Sequence, residues 1–285
     1  MRKSFITFIA LIIVASVAMS CRGRLEIRRS GNEQPSVVQT NTNKDNTRKK
    51  VSNTRRSDRF DLPSPMLNRA EQILERKAYT VSYNAEMRIP NWVAWELTGD
   101  HTYGKAKRPN RAFHEDYDVK APRATYGDYR DGGWSKGHMC PAGDNKWDSD
   151  AMYETFLLTN ICPQDYTLNS GYWNGIEMKC RQWAERYGSI FIVCGPILEG
   201  DHHETIGSNH IVVPEAFFKV VVCLEGDPKG IGFICPNTDE NLNNEKCVKS
   251  ISEVESITGI KFFPHLDSKT AEKVKNKADW NAWRR

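Results

Sequence analysis

The sequence contains no CxxC pair and no internal repeat. The first absence excludes the ordinary thiolate zinc site, and the second excludes a solenoid or propeller of stacked copies. A surplus of positive charge is also missing where it would mean most. The 285-residue chain carries a net +4, but Arg22 to Leu62 hold 11 basic against 5 acidic residues. With these and with Arg2 and Lys3 set aside, 27 of the 40 basic and 31 of the 36 acidic residues remain from Pro63 onward, a net of −4. Overall charge therefore gives no argument for a nucleic-acid partner, since the early positives suit anionic lipid headgroups equally well. Any such argument has to come from a site.

The first thing present is an export pattern. "MRKSFITFIALIIVASVAMSC" has a basic start, an apolar run from Phe5 to Met19 and small residues ahead of Cys21. It predicts a signal peptide over residues 1–21, too short and wrongly flanked for an ordinary membrane span, with Cys21 as the lipidated residue of an envelope lipoprotein. A retained signal anchor is the competing reading. Residues 22–62, rich in Asn, Thr, Ser, Arg and Lys, cannot bury enough apolar surface to offset chain entropy and read as a disordered basic tether. Residues 63–285 are then the folded domain. Seven cysteines follow Cys21, and the odd number leaves at least one thiol unpaired or bridged between chains.

Periodicity within that domain predicts a mixed architecture. "NRAEQILERK" (Asn68 to Lys77) has helical spacing, and "YTVSYNAEMRIPNWVAWELT" reads as strands broken at Pro90. A long polar stretch from Gly99 to Gly133 has the length of a functional loop. "AMYETFLLTN" is a short helix or an extended segment. "NSGYWNGIEMKCRQWAERYG" is a helix with Trp173, Ile176, Cys180 and Trp183 on one stripe and Gly188 as its stop. Strands are expected in "SIFIVCGPIL", "AFFKVVVCLEG" and "KGIGFICPN", then a helix opened by a Ser252–Glu255 capping box, and a charged helix from Ser268 to Trp283. The fold class is α+β, with a largely antiparallel sheet flanked by helices.

Polar residues interrupt otherwise packable sequence in three neighbouring motifs, "SKGHMCPAGD", "TNICPQ" and "LNSGYWNGIEMKCR": His138, Asn160, Gln164, Asn169, Glu177 and Arg181. Asn169 at a helix start and Glu177 two turns on are up to about 12 Å apart along the axis. That is too far for one bare ion, but Glu177 could hold a water of an ion bound by Asn169. One neutral oxygen with a water shell suits Mg²⁺, and Mn²⁺ as a substitute, and such an ion is weakly held until a phosphate joins it. His138 would be the general base, and Arg181, one turn beyond Glu177, could neutralise phosphate charge. Each residue alone has a plainer reading: a structural histidine, an N-cap, a surface ion pair. Cys140, two residues from His138, also leaves a thiol hydrolase open.

These three motifs resemble the DNA/RNA non-specific endonucleases, the ββα-metal nucleases, over about two thirds of the chain. The resemblance implies a ββα-metal nuclease fold and hydrolysis of DNA and RNA with little sequence preference. It implies His138 as general base, Asn169 as the sole direct protein ligand of Mg²⁺, Glu177 as the carboxylate holding metal-bound water, and Arg181 on the phosphate. A further arginine, Arg108 or Arg111 with Arg108 favoured, would stabilise charge on phosphorus. The family's Asp-Arg ahead of Gly-His is Ser135-Lys136 here. Lys136 keeps a substrate-binding charge without the arginine fork, and the lost carboxylate leaves an inactive nucleic-acid-binding lipoprotein of the same fold as the alternative.

Overall fold

Alternation along three long strands divides the molecule into layers. In β9 (Ala216–Cys223) Phe217, Val221 and Cys223 face one apolar cluster, while Phe218, Val220 and Val222 face another. The computed structural model describes residues 59–240 and 242–284; Cys21, the signal peptide and nearly all of the expected tether lie outside that range. Seven strands pair antiparallel throughout in the order β1-β2-β3-β6-β9-β10-β11. They are β1 (Gln72–Glu75), β2 (Thr80–Asn84), β3 (Ile89–Thr98), β6 (Ser189–Ile197), β9, β10 (Lys229–Pro236) and β11 (Val248–Lys249). The pair β7 (Thr205–Ile206) and β8 (Ile211–Val212) forms a small ribbon at the side.

One face of the sheet carries a second unit, the antiparallel pair β4 (Ser135–His138) and β5 (Ile161–Gln164), with α1 (Ser149–Glu154) between them and α2 (Asn174–Tyr187) after them. Met139, Ile161, Trp173, Ile176, Cys180 and Trp183 join it to the sheet. The opposite face is covered by α3 (Ile251–Thr258) and α4 (Ser268–Lys275) through Ile251, Val254, Phe262 and Val274. All seven described cysteines are buried free thiols, and all belong to the layer between the sheet and α2. Among the described residues, no helix is long and apolar enough to cross a membrane.

Several expectations shift. The helix predicted over Asn68–Lys77 is the edge strand β1, whose residues pair with β2 from Gln72↔Tyr83 to Glu75↔Thr80; pairing overrides a weak local helix preference. Pro90 does not break its strand, because it lies opposite Tyr83 beside a register shift, where a missing N–H is tolerated. The helix from Asn169 opens on a wide π turn, Asn169–Trp173, before α2 runs regularly to Gly188, whose φ is +90°. The capping box is Ser250 with Glu253, two residues earlier than expected. The last helix is split: it stops at Lys275, and α5 (Trp280–Arg284) restarts where Asp279 accepts from the N–H groups of Asn281 and Ala282. The packed domain also begins earlier than Pro63, since Phe60 meets Phe191 edge to face and Leu62 is buried.

The close fit of β4 on β5 is set by Gly137. A Cβ there would stand 2.6 Å from the Cβ of Gln164 and 2.1 Å from its Oε1. Gly137→Ala should therefore destabilise the domain by about 1–3 kcal/mol, read as a lower urea midpoint at unchanged slope.

Candidate active site

The antiparallel β4–β5 pair brings the ends of the first two motifs together, Ser135 opposite Gln164 and His138 opposite Ile161. Asn160 fastens the chain as it leaves His138. Its backbone carbonyl accepts from Met139 N–H, its Oδ1 accepts from Cys140 N–H at 2.9 Å, and its Nδ2 donates to the Cys140 and Thr155 carbonyls. Asn160 is thus a buried staple that fixes the strand exit, and needs no chemical role. Gln164 lies against Gly137, with both side-chain polar atoms unpaired.

Asn169 is tied to β4 directly. Its Nδ2 donates to Ser135 Oγ at 3.0 Å, and Ser135 Oγ donates to the Gln164 carbonyl at 2.7 Å. Ser135 therefore orients the asparagine, and Oδ1 is the donor atom left over. Asn169 lies on the π turn, a distortion common at functional positions, and the kink at Gly171 separates it from Glu177 in the first turn of α2.

His138 packs against two touching rings, 5.3 Å from Phe113 and 4.9 Å from Phe156 by centroids. The Arg108 guanidinium covers the same two rings at 5.2 and 5.0 Å. His138 keeps some exposed surface, but its Nε2 is shielded and without a hydrogen-bond partner. Burial, with a smaller push from Arg108, lowers the imidazole pKa to about 3, so the ring is neutral at ordinary pH. Lys136, on the same strand, lies over Tyr126 at 5.0 Å and over Phe113 and Tyr129 at 5.5 Å each. Arg111 is exposed on the loop that carries Arg108, in left-handed backbone with φ +50°.

Behind Glu177 lies a cluster of buried charge. Lys219, 1% exposed in the middle of β9, packs its ammonium on Trp173 at 4.5 Å and Trp95 at 5.4 Å. Burial works against that charge, yet nearby Cys194, Glu177, Cys180 and Asp144 raise its pKa above the ordinary lysine value. Arg181 donates to buried Asp144 at 2.9 Å, and Trp95 Nε1 donates to the other Asp144 oxygen at 3.2 Å. Arg181 is thus braced by Asp144 through one of its guanidinium nitrogens. Burial pushes Glu177 up to about 7, although Lys219 pulls it down.

The structure thus gathers His138, Arg108 and Lys136 around Phe113, ties Asn169 to β4 through Ser135, and sets Glu177 and Arg181 in one charge cluster. Sequence reasoning missed Phe113, Phe156, Asp144 and Lys219. The signal for Lys219 was legible, a lone charge inside the apolar alternation "AFFKVVVC"; that for Asp144 was its place six residues after His138. Cys140 is fully buried and its thiol is held well above the ordinary value by burial, so it offers no thiolate for nucleophilic attack.

Comparison with known proteins places this architecture. A model of the DNA/RNA non-specific endonuclease family matches residues 58–269, and the chain belongs to that family. It is 36% identical over 213 residues to human mitochondrial nuclease EXOG, covering 68% of this chain and 58% of that protein's length. It is 34% identical over 219 residues to nuclease C1 of Cunninghamella echinulata, covering 70% of this chain and 86% of the relative. A solved EndoG/EndoGI complex matches with a TM-score of 0.66 at 27% identity, over 73% of this chain and 92% of that one. The fold is EndoG-like.

The raised Glu177 pKa makes the site a stability cost with a definite sign. The folded state binds more protons than the unfolded one between the usual 4.5 and about 7, so stability from this group falls as pH rises through that window. Metal-free Glu177→Gln should therefore melt near wild type at pH 4 and above it at pH 8, measured by calorimetry across the range.

Proposed function

We propose that the protein is a metal-dependent endonuclease that hydrolyses phosphodiester bonds of DNA and RNA with little sequence preference. The observation that carries this reading is a neutral His138 with an unpartnered Nε2, which shares the Phe113 and Phe156 rings with the Arg108 guanidinium and lies on the strand that also fixes Asn169. Its family consists of metal-dependent nucleases.

The donors fit a hard, hydrated divalent ion. With its Nδ2 committed to Ser135, Asn169 has one neutral oxygen to give, and Glu177 follows it by eight residues in the chain's third motif. No group of three His, Cys, Asp or Glu side chains arranged for a metal occurs among the described residues, so a closed zinc-type site has no ligands here. Asn169 would hold Mg²⁺ or Mn²⁺ directly and Glu177 would hold it through water. When bound, the ion supplies charge stabilisation for the phosphate and the departing oxygen.

The His138 imidazole accepts the proton of the attacking water through its solvent-facing part. An incoming phosphate offsets the Arg108 charge and itself favours a protonated ring, which moves the imidazole up toward a useful base. Arg108, packed on the same rings as His138, would balance charge growing on phosphorus. Arg181, braced by Asp144, offers its remaining N–H groups to the phosphate. Lys136 and Arg111 bind neighbouring phosphates. Contacts of this kind address the backbone instead of base edges, which accounts for tolerance of sequence and sugar. The place of the lost family carboxylate is taken by the Ser135 hydroxyl, which supports the active reading over an inert binding protein. The leader-like start and Cys21 support export and lipid anchoring at the cell envelope.

Plasmid DNA and RNA incubated with the protein and Mg²⁺ should both be cut, and chelator should abolish cutting. His138→Ala should lower the rate by at least about 100-fold, while Cys140→Ser should retain it; cleavage that survives chelation would sink the reading. Ser135→Ala should weaken Mg²⁺ binding by about 10-fold, measured by calorimetric titration.

A further inference from the structure

We propose that Cys235 and Cys247 are a disulfide-forming pair that fastens the turn supporting the active-site helix to the central sheet. Cys235 lies on β10, and Cys247 ends the 3₁₀ turn Asn244–Cys247 that leads into β11. Antiparallel pairing of Gly232 with Lys249 and Phe233 with Val248 draws the two segments together beside both cysteines. Both side chains are sealed in the same apolar layer, and each thiol is close enough to perturb the other's titration. Other thiols spend their contacts differently: Cys140 accepts from Asn145 Nδ2, Cys194 donates to the Met139 carbonyl, and Cys223 donates to the Glu225 carbonyl.

The pair is placed where a covalent tie would matter. Asn244 Nδ2 donates to the Tyr172 carbonyl at 3.4 Å, and a Cβ on Gly175 would stand only 3.1 Å from the Asn244 amide. Tyr172 donates its hydroxyl hydrogen to the carbonyl of Pro236, the residue after Cys235, at 2.8 Å. The turn and β10 thus hold Tyr172 to Gly175, the stretch between Asn169 and Glu177, from two sides.

Chemistry also distinguishes the two sulfurs. The neighbouring Cys235 thiol draws the Cys247 thiol below the ordinary value, whereas burial pushes Cys235 well above it. Cys247, at the end of the turn that carries exposed Glu245 and Lys246, is the thiol an external disulfide meets first. Its thiolate attacks one sulfur of an external disulfide, forming a mixed disulfide and expelling one thiolate. Cys235 then loses its proton, attacks the Cys247 sulfur and expels the second. Two protein thiols are oxidised and one external disulfide is reduced to two thiols, which carry away the two protons. The exchange takes place during folding or when the turn lifts at its exposed residues Glu245 and Lys246.

The test is a thiol map, which does not depend on nuclease activity. Full-length protein is refolded from urea in glutathione buffers ranging from reducing to oxidising, acid-quenched, denatured and alkylated, and its peptides are weighed. A linked Cys235–Cys247 peptide, 2 Da lighter than the separate thiol peptides together, is expected under oxidising buffer. The oxidised protein should melt about 5–10 °C above the reduced one, and Cys247→Ser should remove that difference. Alkylation of both cysteines at every ratio, a link between another pair in their place, or equal melting of oxidised and reduced wild type overturns the proposal.

Discussion

A lysine ammonium sealed inside a strand is the constraint around which the active-site layer is arranged. Lys219 occupies a position that alternation assigns to the core, and burying an isolated charge there would cost several kcal/mol. The layer is built to compensate it: two indole faces lie against the ammonium, and Glu177 and Asp144 come from the facing unit. Asp144 in turn needs Arg181, and Arg181 is on α2 one turn beyond Glu177. The carboxylate proposed to hold the ion's water is therefore positioned from behind by the sheet, well before any ligand arrives.

The front of the site is organised on another principle. Arg108, Lys136 and His138 share aromatic surfaces instead of acidic partners, with Phe113 common to all three. Cations stacked on rings keep their hydrogen-bonding groups available, unlike cations in ion pairs. This separates two uses of positive charge in a domain whose net charge is −4 from Pro63 onward. Charges behind Glu177 neutralise one another, and charges in front keep the free N–H groups that the proposed phosphate contacts need.

Much of this was legible in the sequence because the motifs are local. The β9 and β10 alternation, the helix ending at Gly188 and the spacing of His138, Asn169 and Glu177 all rest on short-range patterns. What escaped was set by packing between distant segments. Asn68–Lys77 has helical spacing and becomes a strand only because β2 lies beside it. The Ser252–Glu255 box lost to an equally good Ser250–Glu253 box that starts the helix where β11 ends. Phe113 and Phe156 come from segments 43 residues apart and meet only through the fold. Asp144 and Lys219 could have been suspected as lone charges amid apolar residues, but the sequence could not say that they face each other across two layers.

The alternation in β9 also splits the consequences of mutation by parity. Odd-numbered positions 217, 219, 221 and 223 turn toward α2, and even-numbered positions 218, 220 and 222 turn toward α3 and α4. One strand, 8 residues long, thus belongs to two different neighbourhoods at a spacing of a single residue. Variation at even positions is felt by the molecule only as a change in how firmly it holds together. Variation at odd positions also reaches the cluster around Glu177, so tolerance along this strand is a two-beat rhythm and not a gradient.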